Sequence, residues 1–167
     1  MPLIRVESEK AGVVSDTFTA AADDAALPES GGAIVSLARF VKEREQLLAR
    51  NAPVGVRLKS SESPEALGAD AQRLSLVAIE FPAFGDGRGF SWARMLRTRL
   101  GFTGEIRAVG KFIYDQIAHQ KRTGFDAWEL PDGFTLEQFE RALREITNPY
   151  QPSADGKKTI RELRSGK

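Results

Sequence analysis

A chain of 167 residues, 41% hydrophobic and 28% charged, has enough apolar material to bury a core, and one globular domain is the expectation. With no cysteine and a single histidine, His119, it excludes disulfides, thiolate nucleophiles, cysteine-held zinc or iron–sulfur clusters, and a multi-histidine metal site within one subunit. The formal net charge is +1, no apolar run approaches the roughly 18 to 20 residues of a membrane span, and Met1-Pro2-Leu3-Ile4-Arg5 lacks a secretory layout, so a cytoplasmic location is expected.

In chain order, Leu3 to Glu7 reads as the first arm of a weak hairpin that turns around Glu9 to Gly12 and returns through Val13-Val14 and Thr17 to Thr19. Residues 20–32, rich in Ala, Asp, Gly and Ser, read as linker, so residues 1–32 form an N-terminal extension. A strand-then-helix rhythm follows. Ala33 to Ser36 is a strand, and Leu37 to Arg50 has apolar residues near helical spacing until Asn51-Ala52-Pro53 stops it. Val54 to Leu58 is the next strand, followed by a helix opened by Ser63 as N-cap and Pro64 at its first position, running to about Arg73. Leu76 to Phe81 is the most apolar strand, and the helix after it begins near Phe90 or Ser91 and ends at Gly101. Glu105 to Val109 is a strand, Lys111 to Thr123 a helix, and Phe125 to Leu130 a short strand. Thr135 opens a last helix whose Leu136, Phe139, Leu143 and Ile146 share one face.

Five strand-helix units in succession imply parallel pairing through right-handed crossovers. The expected fold is therefore α/β, a five-stranded mostly parallel sheet with helices on both faces, open and flavodoxin-like, with the hairpin-like extension in front. A partial (β/α) barrel is the alternative, five units being too few for a closed one. Residues 33–150 make a single α/β domain, and residues 151–167 a flexible polar tail.

Parallel sheets bind ligands beyond the C-terminal ends of their strands. That rule selects Ser36, Lys59 to Ser61, Pro82 to Ser91, Gly110-Lys111 and Pro131-Asp132, and the loop after Phe81 is the richest of these. Asp86-Gly87-Arg88-Gly89 places two glycines around an arginine just before a helix, where backbone N–H groups can face an anion. Ser91, Arg94, Arg107 and Lys111 complete the candidate anion site, their guanidinium and ammonium groups adding charge. The loop is neither a Walker A sequence nor a complete dinucleotide fingerprint. The competing reading is a tight turn in which Asp86 caps the helix and Arg88 pairs with a carboxylate.

Residues 81–167 carry 15 Lys/Arg against 11 Asp/Glu, while residues 1–80 carry 9 against 12. Between Arg88 and Arg122 eight cations face only Glu105 and Asp115, and Arg97, Arg99, Lys121 and Arg122 are candidate contacts for an acidic partner. Glu80, Asp126 and Glu129 lie on or beside strands, where pairing with Arg107 or Arg88 is favoured over a desolvated acid–base role. Trp92, Trp128 and Phe84 are candidates for stacking on a flat ligand or, more commonly, for core packing. His119 reads as an exposed mid-helix residue, and Asp115-Gln116 as support for the helix dipole.

The run Phe81-Pro82-Ala83-Phe84-Gly85-Asp86-Gly87-Arg88-Gly89-Phe90-Ser91-Trp92-Ala93-Arg94-Met95-Leu96-Arg97 resembles that of a bacterial domain-of-unknown-function family, number 934, as do Gly104 to Gly110, Asp115-Gln116 and Arg122 to Asp126. The resemblance spans roughly residues 30–150. It implies an accessory role in assimilatory sulfate and sulfite reduction, because members are commonly encoded beside sulfite reductase, and some members carry the label oxidoreductase. It brings no established activity. Many members have Cys where this chain has Thr123, which argues against a cysteine-dependent mechanism. The expected partners are sulfite reductase or an acidic electron carrier, with the small anion- or nucleotide-binding enzyme as alternative. No metal, haem or iron–sulfur cofactor is expected, and a bound flavin or nucleotide stays open. A sequence pI of about 8.0 without a recognised motif argues against nucleic acid, and nothing points to a membrane.

Overall fold

A computed structural model describes residues 2–7 and 10–166. Its eight strands are β1 (Leu3–Glu7), β2 (Lys10–Val14), β3 (Phe18–Ala20), β4 (Gly32–Ser36), β5 (Val54–Leu58), β6 (Leu76–Phe81), β7 (Glu105–Gly110) and β8 (Ala127–Glu129). The helices are α1 (Leu37–Lys42), α2 (Arg44–Leu48), α3 (Arg88–Thr98), α4 (Ile117–Thr123), α5 (Leu136–Arg144) and α6 (Ile160–Ser165), with 3-10 segments at Pro64–Arg73 and Tyr114–Gln116. All strands join one sheet in the order β2-β1-β8-β7-β6-β5-β4-β3. From β3 to β8 each neighbouring pair is parallel, while β1 pairs antiparallel with both β8 and β2.

This corrects the open five-stranded sheet with helices on both faces. The sheet is mixed, has eight strands and curls into a half-barrel, so the partial-barrel alternative fits. The reason lies in three residues. β2 and β3 occupy opposite edges of the sheet, yet only Ser15, Asp16 and Thr17 separate Val14 from Phe18. A flat sheet would put these edges about 34 Å apart at ~4.8 Å per strand spacing, whereas the link can reach only about 14 Å. The sheet has to bend until its edges approach. The turn expected at Glu9 lies outside the described residues, and Lys10 to Gly12 belongs to β2.

The two faces differ in kind. On the convex face Val35, Val56, Ile79, Phe81, Ala108 and Trp128 pack in one cluster with Phe40, Leu47, Leu67, Leu96, Ile117 and Phe139 from the helical segments. The concave face holds only a small apolar group, Ile34, Leu76, Ala78 and Val109 with Phe18, and no helix contributes to it. Along one hydrogen-bonded row the concave residues are Ser36, Arg57, Ala78, Arg107, Ala127, Arg5 and Gly12. Small residues alternate with arginines, because inside a tight curl long side chains from adjacent strands would collide. What fills this interior is a charge lattice.

Three helices are more broken than the periodicity suggests. Residues 37–50 divide into α1 and α2 at Glu43, whose φ of −112° leaves the helical region. Ser63 does cap the next segment, accepting a bond from the Glu65 N–H, but Gly68 at φ 55°, ψ −140° splits it into 3-10 turns. The segment from Lys111 is irregular until Tyr114 and becomes α-helical only at Ile117. Thr135 and Gln138 form a reciprocal capping box on α5. The polar tail carries α6 and is tied to the body by Arg122, whose guanidinium donates to Asp155 at 2.9 Å and to the Gln151 carbonyl at 2.7 Å. No helix is long and apolar enough to cross a membrane among the described residues.

Candidate functional site

The loop after β6 is closed on itself. Asp86 accepts from the backbone N–H of Arg88 at 3.2 Å and from its guanidinium at 3.0 and 2.7 Å. Arg88 also donates to the Ser60 hydroxyl at 3.2 Å, and the Trp92 indole donates to the Ser60 carbonyl at 2.9 Å. The Arg88 guanidinium, with help from the Ser60 hydroxyl, holds the Asp86 carboxyl well below the usual carboxylate range, and Asp86 in return raises Arg88. Gln116 pins the far side, its amide donating to the Phe84 carbonyl at 2.8 Å and its oxygen accepting from the Ile113 N–H. The polar groups of the loop therefore answer one another: Arg88 pairs with a carboxylate as the tight-turn reading expected, but Asp86 does not cap the helix, whose N-cap is Gly87 with no side-chain bond.

Of the two glycines, Gly89 serves packing, while a Cβ on Gly87 would meet only Phe90 at 3.7 Å. Neither Gly87 (φ −87°) nor Gly89 adopts the left-handed region. A Cβ on Gly89 would lie 2.7 Å from the Phe81 ring and 3.2 Å from Ile79, so the first turn of α3 rests directly on β6. Gly89→Ala is expected to lower stability by about 1 to 3 kcal/mol through overpacking, measurable as an earlier urea midpoint. Phe81 itself is ringed by Phe90, Phe112 and Phe125 at centroid distances of 5.4, 6.3 and 5.8 Å.

Of the other expected anion-site residues, Ser91, Arg94 and Lys111 are exposed near the loop, and Lys111 donates its N–H to the Phe81 carbonyl at 2.6 Å. Arg107 is elsewhere. It is fully buried on the concave face, 2.7 Å from Asp16, 2.8 Å from Glu105 and 3.2 Å from Glu129. Burial by itself would lower its pKa, but Asp16 and Glu105 reverse that and hold the cation above the ordinary arginine range. Asp16 is pushed up by burial and more than brought back by the Arg107 and Phe18 bonds, ending below the usual carboxylate range. Arg5 joins through Glu105, and Arg57 reaches Glu80 at 3.3 Å. Glu80 is thus paired, as favoured, but with Arg57 rather than Arg107 or Arg88.

The expected partner contacts also divide. Arg99 is exposed and Lys121 half-buried, and neither has a carboxylate partner among the described residues. Arg97 is turned inward, donating to the carbonyls of Gly124, Phe102 and Gly104 and to Asp126. Arg122 holds the tail. Trp128 is core, its indole donating to the buried Gln120 at 2.8 Å, while His119, exposed as expected, sets its ring against Phe90 at 4.7 Å and a tilt of 52°. Burial there, with the Arg122 charge, lowers the His119 pKa. Asp16 was invisible to sequence reasoning because its partner lies 91 residues away. Ser60 was inside a selected loop, though nothing singled it out. Among the described residues no cluster of three or more His, Cys, Asp or Glu could hold a metal ion.

Fold and loop define a curled α/β half-barrel that presents a self-braced loop at the C-terminal ends of its parallel strands. Residues 55–161 match the family described as bacterial protein of unknown function (DUF934), and this chain belongs to it. No curated protein and no solved structure matches the chain.

Proposed function

We propose that this protein is an accessory of assimilatory sulfite reduction, docking through the Pro82–Arg88 loop on sulfite reductase or its acidic electron carrier. One observation carries the reading: Phe84 stands 67% exposed at the tip of that loop while the polar groups around it are bonded to each other. An aromatic ring held out by a braced loop loses little entropy on burial and makes an interface anchor. Ile113, 42% exposed, lies beyond the Gln116 bridge, and Pro82 and Ala83 are also exposed. Lys111 and Arg94 give the surroundings a positive bias suited to an acidic partner. Phe84 falls within the string that resembles the family, and the sulfite-reductase context comes from that resemblance. A docking role uses what the loop exposes, whereas an anion there would have to share Arg88 with Asp86.

The test is a calorimetric titration of the protein with the cognate reductase and, separately, with its electron carrier, at low and high salt. Binding that weakens with salt is expected, and Phe84→Ala should weaken it by about 30-fold or more, as for a central aromatic anchor. Absence of binding at both salt concentrations, or unchanged affinity for Phe84→Ala, would reject the reading.

A further inference from the structure

We propose that a second site, independent of the Phe84 loop, lies between α4, α5 and the chain that follows α5, and that it takes a small amphiphilic acid: an apolar body carrying a carboxylate, sulfonate or similar anionic head. A cavity of about 510 Å³ opens there, within the roughly 300 to 1,000 Å³ range of small-molecule pockets. It shares no lining residue with the loop that carries Phe84.

Two properties of its walls specify the ligand. The body of the cavity is apolar, formed by Val6 from β1, Ala118 from α4, Leu143 from α5, and Ile146 and Pro149 beyond it. Ile146 is 53% exposed. Apolar surface left facing water in a concavity favours a ligand that removes it, at about 25 cal/mol per Å² covered. The rim is cationic. Lys121, Arg122, Arg144 and Lys157 line it, with Asp155 the one carboxylate of the lining among the described residues. Asp155 is engaged by Arg122 at 2.9 Å, and Arg144 meets Glu140 only at 3.5 Å on the exposed side of its helix. Lys121 therefore sets a positive charge without a carboxylate partner among the described residues beside an apolar floor, and an anion attached to a hydrophobic body satisfies both. A neutral hydrophobe would leave Lys121 unanswered, and a cationic one would be repelled.

The outer wall is built and held. Arg122 on α4 fixes the returning chain through Asp155 and the Gln151 carbonyl, and the Ile160 N–H donates to the Pro149 carbonyl at 2.8 Å. Buried Pro149 closes one side. Asp155 and Lys157, from the segment expected to be a flexible polar tail, line the cavity.

The experiment uses the full-length protein and 8-anilinonaphthalene-1-sulfonate, a fluorescent aromatic sulfonate, displaced by three probes with one body and different heads: decanoate, decanol and decylammonium. Decanoate should displace the dye, decanol should need at least about tenfold more, and decylammonium should not compete. Lys121→Gln with Arg144→Gln should weaken decanoate about tenfold or more while leaving the urea midpoint near that of the parent. Ile146→Glu, at an exposed position, should abolish dye binding and provides a check that does not disturb the core. Equal displacement by all three heads, an unaffected double variant, or no displacement by decanoate would overturn the proposal. Phe84→Ala should leave decanoate affinity unchanged, so failure here and failure of the docking reading are read out separately.

Discussion

Arg107→Met should lower stability by about 3 kcal/mol at pH 7, the lower end of the cost of breaking a buried ion pair from one side. The guanidinium has no exposed surface and faces Asp16, Glu105 and Glu129 at 2.7, 2.8 and 3.2 Å. Methionine fills most of the volume, so the loss comes from carboxylates stranded in the curl. Glu105 keeps Arg5, while Asp16 and Glu129 are each about one-third exposed, which places the cost at the lower end. Adding Asp16→Asn to Arg107→Met should recover part of the loss in urea unfolding. If the double variant is no better than the single one, the cost lies in packing and not in stranded charge.

The pH dependence separates the same alternatives. In the parent, Asp16 is held below its ordinary pKa, so its contribution is present above the unfolded value near 4 and is lost as pH falls through the folded value. Parent stability should therefore fall on acidification below about pH 4. In Arg107→Met, Asp16 loses the guanidinium that held it down while the burial that raises its pKa remains, so its pKa should rise. The unfolded chain then releases protons more readily than the folded one, and stability should rise as pH is lowered from 7 toward 5. Opposite slopes in the two proteins would be the signature.

The parallel half of the sheet was legible because β4 to β8 are short apolar runs bounded by turn residues. Its closure was not. The curl depends on the Ser15–Thr17 link, and a linker's length says nothing about which edge its ends join until the strand order is known. Arg57, Glu80, Glu105 and Arg107 share the face that helices leave uncovered, but charged residues at strand ends read equally well as a site. For the candidate site, the sequence located the loop and the likelihood of pairing, since Asp86 and Arg88 are two residues apart. It could not separate free arginines from engaged ones. Arg94 and Arg97 are three residues apart on one helix, yet the first is exposed and the second half-buried among carbonyls 5 to 27 residues away and a carboxylate 29 away.

That difference gives the other large effect. Arg97→Met should destabilise the fold by about 2 to 4 kcal/mol, because four acceptors lose their donor together. The guanidinium donates to Gly124 at 3.1 Å, Phe102 at 2.7 Å and Gly104 at 2.9 Å, and pairs with Asp126, which also accepts the Ile106 N–H at 3.0 Å. These acceptors surround the starts of β7 and β8, so one side chain from α3 fixes where two parallel strands enter the sheet. The site is shaped for it: Gly124 sits at φ 116°, and a Cβ there would lie 2.6 Å from the Arg97 stem. Arg97→Lys keeps the charge but has no planar fork to divide among three carbonyls and a carboxylate, so it should recover only a minor part of the loss. Arg94→Met on the same helix should leave the urea midpoint almost unchanged and reduce the salt dependence of reductase binding. If Arg97→Met instead unfolded at the parent midpoint and Arg94→Met did not, the inward clamp would be refuted and Arg97 returned to the surface set.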